Sequence, residues 1–298
     1  MKYGILITIL SLTSTILLAQ IEPDTSYWKN SLNLGIYFNQ ASFSDNWTGG
    51  GVSSIAIGSS MIGKANYKKE KITWTNLLEF GYGVVKNQGQ TSRKTTDLIL
   101  LDSKFGLAVS DHWNMFGSLN FLSQFDQGFR FEEDGSGVEQ RVLISKFMAP
   151  GFLTTSLGME YLPNEYFTVR LSPFSPRLTF VTDSEIINNV PENYGVDPGE
   201  TVRYEWLAAQ IVAKYNRDFS ENLSFDSRYM MFANYEELSF EQIDHRLELA
   251  LSAKVTKFIN TSFRSILLYD QDQADGIQIS QMLAIGVLFN LGYQEEKK

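Results

Sequence analysis

Ile277-Gln278-Ile279-Ser280-Gln281-Met282-Leu283-Ala284-Ile285-Gly286-Val287-Leu288-Phe289-Asn290-Leu291 alternates along most of its length. Ile277, Leu283, Ile285, Val287, Phe289 and Leu291 fall on one parity, and Gln278, Ser280, Ala284, Gly286 and Asn290 on the other. Successive side chains of a strand point to opposite faces, so a period of two predicts a strand with one apolar and one polar face. Soluble strands usually run about 5–6 residues. A strand that crosses a bilayer needs about 9–11. This one is long enough to cross.

The pattern recurs toward the N-terminus. Leu32, Leu34, Ile36 and Phe38 alternate with Asn33, Gly35, Tyr37 and Asn39. Ile99, Leu101, Phe105 and Leu107 alternate with Asp102, Lys104 and Gly106. Leu247, Leu249 and Leu251 alternate with Arg246, Glu248 and Ser252. Twelve strands are predicted, near 31–43, 52–67, 71–85, 97–109, 113–125, 147–161, 166–182, 203–217, 221–235, 243–257, 260–270 and 277–293. Pro173 and Pro176 lie inside the seventh, where a residue that cannot donate to a ladder predicts a bulge or break.

The connections alternate in length. Lys68–Lys71, Ser110–His112, Leu162–Glu165, Asp218–Ser220 and Lys257–Ile259 are short. Ser44–Gly51, Lys86–Thr96, Asp126–Lys146, Asp183–Val202, Glu236–Gln242 and Gln271–Gly276 include the long ones. Short inner turns, long outer loops and an even strand count predict an all-β, transmembrane, antiparallel up-and-down barrel. The polar faces carry Asp102, Lys104, Glu160, Arg170, Lys214, Asp226, Arg228, Arg246, Glu248, Lys254 and Arg264, with Glu79 and Asp244 as further acids. So many charges along strands need water or one another, which predicts a polar lumen inside an apolar wall. Trp74, Trp113, Tyr161, Phe167, Trp206, Tyr215, Tyr269 and Tyr293 stand near strand ends, where amphipathic rings form interfacial girdles.

The rest of the chain fits that plan. Met1–Ala19 reads as a secretory signal, with Lys2 before the apolar run Ile5–Leu18. Residues 20–30 then form a periplasmic segment, 31–293 the barrel and 294–298 a charged tail. The 298 residues are 43% hydrophobic and 13% aromatic, with two His, no Cys and a net charge of −9. That charge speaks against a nucleic-acid partner. The absence of Cys removes thiolate chemistry, and two His leave little for catalysis.

Several blocks carry a family resemblance: Asn39-Gln40-Ala41-Ser42-Phe43-Ser44-Asp45-Asn46-Trp47-Thr48-Gly49-Gly50-Gly51, Asp102-Ser103-Lys104-Phe105-Gly106, Ser123 to Gly128, Phe147 to Phe152, Leu171-Ser172-Pro173-Phe174, Leu268-Tyr269-Asp270 and Gln278 to Asn290. Through nearly the whole mature chain it resembles the Bacteroidota family of secreted proteins of unknown function DUF3078. The resemblance implies the outer membrane of a Gram-negative bacterium, reached by the Sec pathway, and no biochemical activity. At Asp244-His245 family members commonly carry Asp-Trp.

Two site readings follow. Asn39, Gln40, Asn46 and Trp47 are candidates for an element lining the mouth, against a packed loop cap. Asp102, Lys104, Arg170, Asp226, Arg228, Arg246, Glu248 and Arg264 are candidates for a narrow polar channel, against ion pairs filling a closed barrel. Twelve strands lie between barrels that fill with side chains and those that leave an open channel. The mixed signs predict neither strong anion nor strong cation selectivity. Asp244 and His245 point to opposite faces and form no dyad, and no G-x-S-x-G occurs. Asp270–Gly276 has the look of a calcium loop, but Ala274 occupies a ligand position and the later Glu is missing. No metal, cofactor or catalytic residue is predicted. The expected partner is the lipid bilayer, with small solutes or, for an accessory barrel of an envelope secretion or assembly complex, envelope proteins.

Overall fold

A computed structural model describes residues 27–292, apart from 45, 47, 50, 134, 136–138, 191, 192 and 257. The expected signal, Trp47, Tyr293 and the charged tail lie outside the described residues. The strands are β1 (Trp28–Ala41), β2 (Ser54–Lys69), β3 (Ile72–Asn87), β4 (Arg93–Ala108), β5 (Trp113–Ser123), β6 (Gly128–Glu133), β7 (Glu139–Ser145), β8 (Gly151–Tyr161), β9 (Phe167–Phe174), β10 (Arg177–Phe180), β11 (Val202–Glu205), β12 (Ala208–Ser220), β13 (Leu223–Asn234), β14 (Asp244–Lys254), β15 (Ile259–Tyr269) and β16 (Ile277–Gly292).

All except β6 and β7 join one antiparallel sheet, in which β1 pairs with both β2 and β16 and so closes the barrel. β9 with β10 makes one stave and β11 with β12 the next, so the wall has twelve staves. The seventh stave breaks at Ser175-Pro176, where the prolines predicted it. The eighth breaks opposite, at Trp206-Leu207, which alternation alone did not signal. Backbone bonds close the gap, from Ser175 N to Ala208 O (2.8 Å) and from Thr155 N to Pro176 O (3.0 Å). Near the same place β8 and β9 shift register between Leu157 and Met159. A Cβ on Gly158 would stand 2.0 Å from Leu171 O, so only glycine admits this approach.

The alternation settles which side is wet. On β16, Ile277 and Leu283 are each 68% exposed, and Ile279, Ile285, Phe289 and Leu291 share their face. Ile36, Phe38, Ile57, Phe105, Met115 and Leu157 continue this apolar exterior around the wall. Such a surface is the opposite of a water-soluble barrel, and a closed sheet leaves no unpaired edge in lipid. No helix among the described residues is long and apolar enough to cross a membrane; the strands do the crossing.

Aromatic rings collect at both ends. Trp28 packs on Tyr67 (5.3 Å) and Trp74 (5.7 Å), and Trp113 on Tyr161 (4.8 Å), at the end of the short turns. At the opposite end His245 lies between Tyr229 (6.1 Å) and Tyr269 (6.3 Å) in an aromatic row. Tyr229 Oη and His245 Nδ1 are 2.7 Å apart, so the ring's polar atom is satisfied beside its apolar neighbours.

A small dry core sits outside the barrel. The β6–β7 hairpin forms its own sheet. The segment after β10 folds into a short helix, α1 (Ser184–Asn189), whose N-cap is Asp183. Leu143, Ala149, Val181, Ile186, Val190 and Val196 bury one another there. Asn189 Nδ2 and Tyr194 Oη donate to the carbonyls of Leu143 (2.8 Å) and Ile144 (2.9 Å), tying the helix segment to β7. Burial pushes the Tyr194 hydroxyl up to about 12. This cap stands where sequence reading gave only two long outer loops.

Candidate functional site: a polar lumen crossed by ion pairs

The inward parity of the strands encloses a cavity of about 1550 Å³. It runs from Asn66, Thr75 and Asn216, near the short-turn end, to Phe129 and Phe131 of the hairpin at the mouth. No residue of β1 lines it. The reason is a set of contacts that cut across the lumen.

Arg264 of β15 meets Glu79 of β3 at 2.7 Å, although β16, β1 and β2 separate those strands along the wall. Thr96 Oγ1 of β4 reaches Met282 Sδ of β16, 3.7 Å away, over the same arc. On the other side Asp102 of β4 meets Arg170 of β9 (3.5 Å) and Lys214 of β12 (3.7 Å) across β5 and β8. Two arcs of wall are therefore bridged, while every strand except β1, β10 and β11 contributes residues to the cavity lining. Two of the arc-spanning pairs, both made by the buried Asp102, are long contacts.

Beneath Asp102 the wall is solid. Glu160, 1% exposed, accepts from Lys104, Arg170 Nε (3.2 Å) and Asn114 Nδ2 (3.3 Å). Cross-strand register explains the meeting, because Glu160 stands opposite both Asn114 and Arg170. Arg170 also lies over the buried Phe116 ring, at 5.7 Å. A carboxylate with two cations and an amide donor is fully used, and this cluster fills one flank of the lumen.

The remaining sequence candidates separate. Arg246 bonds Glu248, two residues along β14. Arg228 stands opposite Lys214 on one side and Glu248 on the other. It makes no hydrogen bond or ion pair with a described residue, and it lies within Coulomb range of Asp102, Lys214 and Glu248. Asp226 lines the lower cavity two positions away. Lys254, by contrast, sits at the short-turn end and lines nothing, and Asp244 belongs to a separate rim network. Asn39, Gln40 and Asn46 do not line the cavity either. Asn39 and Gln40 occupy the exposed end of β1, with Gln40 on the parity of Ile36 and Phe38. Asn46 Oδ1 accepts from Ser44 Oγ at 2.6 Å, within its own loop. There Gly51 (φ 132°) lies against the Phe43 ring, 2.6 Å from where a Cβ would be.

Other charged groups were not singled out by sequence. Arg177 of β10 bonds Glu205 (2.6 Å) and Asp244 (2.7 Å) and stacks on Phe232 (3.7 Å). Arg203 bonds Glu237 and Asp272, tying three outer connections together. At the mouth Lys94 holds Asp97 (2.6 Å) and the Asp126 carbonyl (2.8 Å). Asp126 accepts from Tyr82 Oη (2.7 Å), which holds its carboxyl below the ordinary range. Arg93 and Arg141 stack on Phe131 (4.4 Å) and Phe129 (5.0 Å). Lys64 was legible, since it falls on the polar parity with Asn66 in β2. Arg177 and Arg203 lie in stave fragments where the period is lost.

Among the described residues no cluster of His, Cys, Asp or Glu could hold a metal ion. No curated protein matches the chain. Among solved structures, the translocator domain of autotransporter NalP from Neisseria meningitidis is 12% identical, over 97% of this chain and 95% of that one, at a TM-score of 0.39. An outer membrane channel from Pseudomonas putida F1 is 8% identical, over 92% and 100%, at 0.40. The NanC porin is 6% identical, over 89% and 100%, at 0.38. These are distant likenesses. The family model described as Protein of unknown function (DUF3078) matches residues 38–129, and over that stretch, from the end of β1 into β6, the chain is similar to that family.

Proposed function

We propose that the protein is an outer-membrane barrel that passes small polar solutes through its lumen. The observation that carries the reading is the polar cavity of about 1550 Å³ inside a closed wall with an apolar exterior. A polar lumen inside a closed barrel offers solutes a route across lipid. Export through the Sec pathway and insertion in the outer membrane of a Gram-negative bacterium fit the Met1–Ala19 reading and the family resemblance. No catalysis is assigned: His245 is held in an aromatic row, and His112 Nδ1 lies 3.1 Å from the Leu162 carbonyl in a turn.

The test is conductance in a planar bilayer. Purified protein, shown folded by a gel mobility that changes on boiling, is expected to give discrete current steps. Folded protein that never conducts would overturn the channel reading. It would favour a closed accessory barrel of an envelope complex, for which the ion pairs across the lumen and the cap beside its mouth are the supporting observations. Reproducible co-purification with an envelope protein from native membranes would then be expected.

A further inference from the structure

We propose that the lumen is a path for small anions and that Arg228 sets its preference; the inference rests on the channel reading above. The chain as a whole is acidic, at −9. Its cavity is the reverse: ten Lys and Arg line it against six Asp and Glu. A water-filled space with low-dielectric walls focuses such an excess, raising the local concentration of the opposite ion.

The excess is not spread evenly. Arg264 is neutralised by Glu79, and Arg246 by Glu248. Arg170 is divided between Glu160 and Asp102, and Lys214 has only the long contact to the same Asp102. Two cations therefore share one carboxylate already in use. Arg228 stands directly opposite Lys214 in the ladder, on the same inward face. Like charges placed opposite each other in a sheet repel, and no described acid pairs with Arg228. A mobile anion between Arg228 and Lys214 relieves that repulsion. The guanidinium keeps its charge at any pH the protein meets and presents several donors, which suits chloride, carboxylates and phosphate esters alike. Both side chains line the lumen cavity, where a passing ion meets them.

By sequence alone the mixed signs of the lumen charges predict weak selectivity. Pairing geometry removes most of the acids from that count, and leaves Arg228 outside any ion pair and Lys214 on one long contact to a shared carboxylate. Selectivity filters for anions use the same device, basic side chains facing the ion path.

The experiment is the reversal potential of the full-length barrel in a potassium chloride gradient, with Arg228→Glu and Arg228→Lys beside it. The unmodified protein is expected to favour chloride over potassium. Arg228→Glu is expected to lower the permeability ratio several-fold and Arg228→Lys to keep it. All three proteins are first shown to be folded by heat-dependent gel mobility. Conductance with a potassium preference or with none, or a ratio that Arg228→Glu leaves unmoved, overturns the inference while leaving the channel intact. Folded protein without any conductance overturns the channel reading, and this inference with it.

Discussion

Glu79 on β3 and Arg264 on β15 meet at 2.7 Å although three strands of wall lie between theirs. The pair is a strut across the lumen, and it stands in a water-filled space. An ion pair of that kind contributes about 0–1 kcal/mol, because water competes for both partners. Glu79→Gln is therefore expected to leave the barrel folded and to widen the route. Single-channel recording should show larger current steps than the parent, with the boiling-dependent gel shift retained. Unchanged steps would mean that the strut does not limit flow.

Glu160 presents the opposite case. It is buried with Lys104 and Arg170 against it. Glu160→Gln keeps the shape and removes the charge, leaving Lys104 buried without its ion-pair partner and Arg170 with only the long contact to Asp102. Breaking a buried pair in this way costs about 3–5 kcal/mol. Urea unfolding in detergent or lipid, followed by Trp fluorescence, should show the loss as a lower midpoint. A midpoint unmoved by the substitution would show that the cluster is wetter than its burial implies.

The seam that closes the barrel has its own test. Tyr37 of β1 faces Gly286 of β16 in the ladder, and a Cβ on Gly286 would stand 2.5 Å from both the Tyr37 ring and the Ile36 carbonyl. Gly286→Ala is expected to destabilise the barrel by about 1–3 kcal/mol, the usual range for overpacking. Adding Tyr37→Ala relieves the ring contact and not the carbonyl, so recovery should be partial. Full recovery would assign the whole effect to the ring.

Asp183 gives a pH dependence confined to the cap. Its carboxylate accepts from Lys146, then from the backbone of Glu185 (2.8 Å) and Ile186 (3.2 Å). The Lys146 bond foremost holds its pKa below the ordinary 3.8. A depressed carboxylate adds stability above its unfolded value and loses it as pH falls through its folded one. Amide exchange at α1, corrected for intrinsic rate, should show constant protection from about pH 6 to about pH 4 and a decline below. Asp183→Asn should lower protection throughout. Protection that stays flat to about pH 2.5 would remove Asp183 from the account.

The wall was legible because alternation is a local signal. The parity of Leu247 and Leu249 against Arg246 and Glu248 is readable without knowing any partner strand, and twelve such segments add up to a closed sheet. Pro173 and Pro176 announced their break for the same reason. What stayed hidden depends on residues far apart in the chain. Glu79 and Arg264 are joined only once the cylinder closes. Leu143 and Val196 come from two separate loops and in sequence read as ordinary loop apolars, while Val181 reads as the end of the seventh strand. Arg228 looked like one charge among many until register set it opposite Lys214.

The cap and the barrel invert each other. Below the rim, oily side chains look outward and the middle is wet; above it, Ile186, Val181 and their neighbours turn inward and the middle is dry. Two solvents thus hold up one chain. Detergent or lipid sustains the cylinder and does nothing for the part above it, whereas urea in the surrounding water attacks that small upper unit directly. The upper unit is therefore expected to melt as a module of its own, at denaturant levels that leave the cylinder standing.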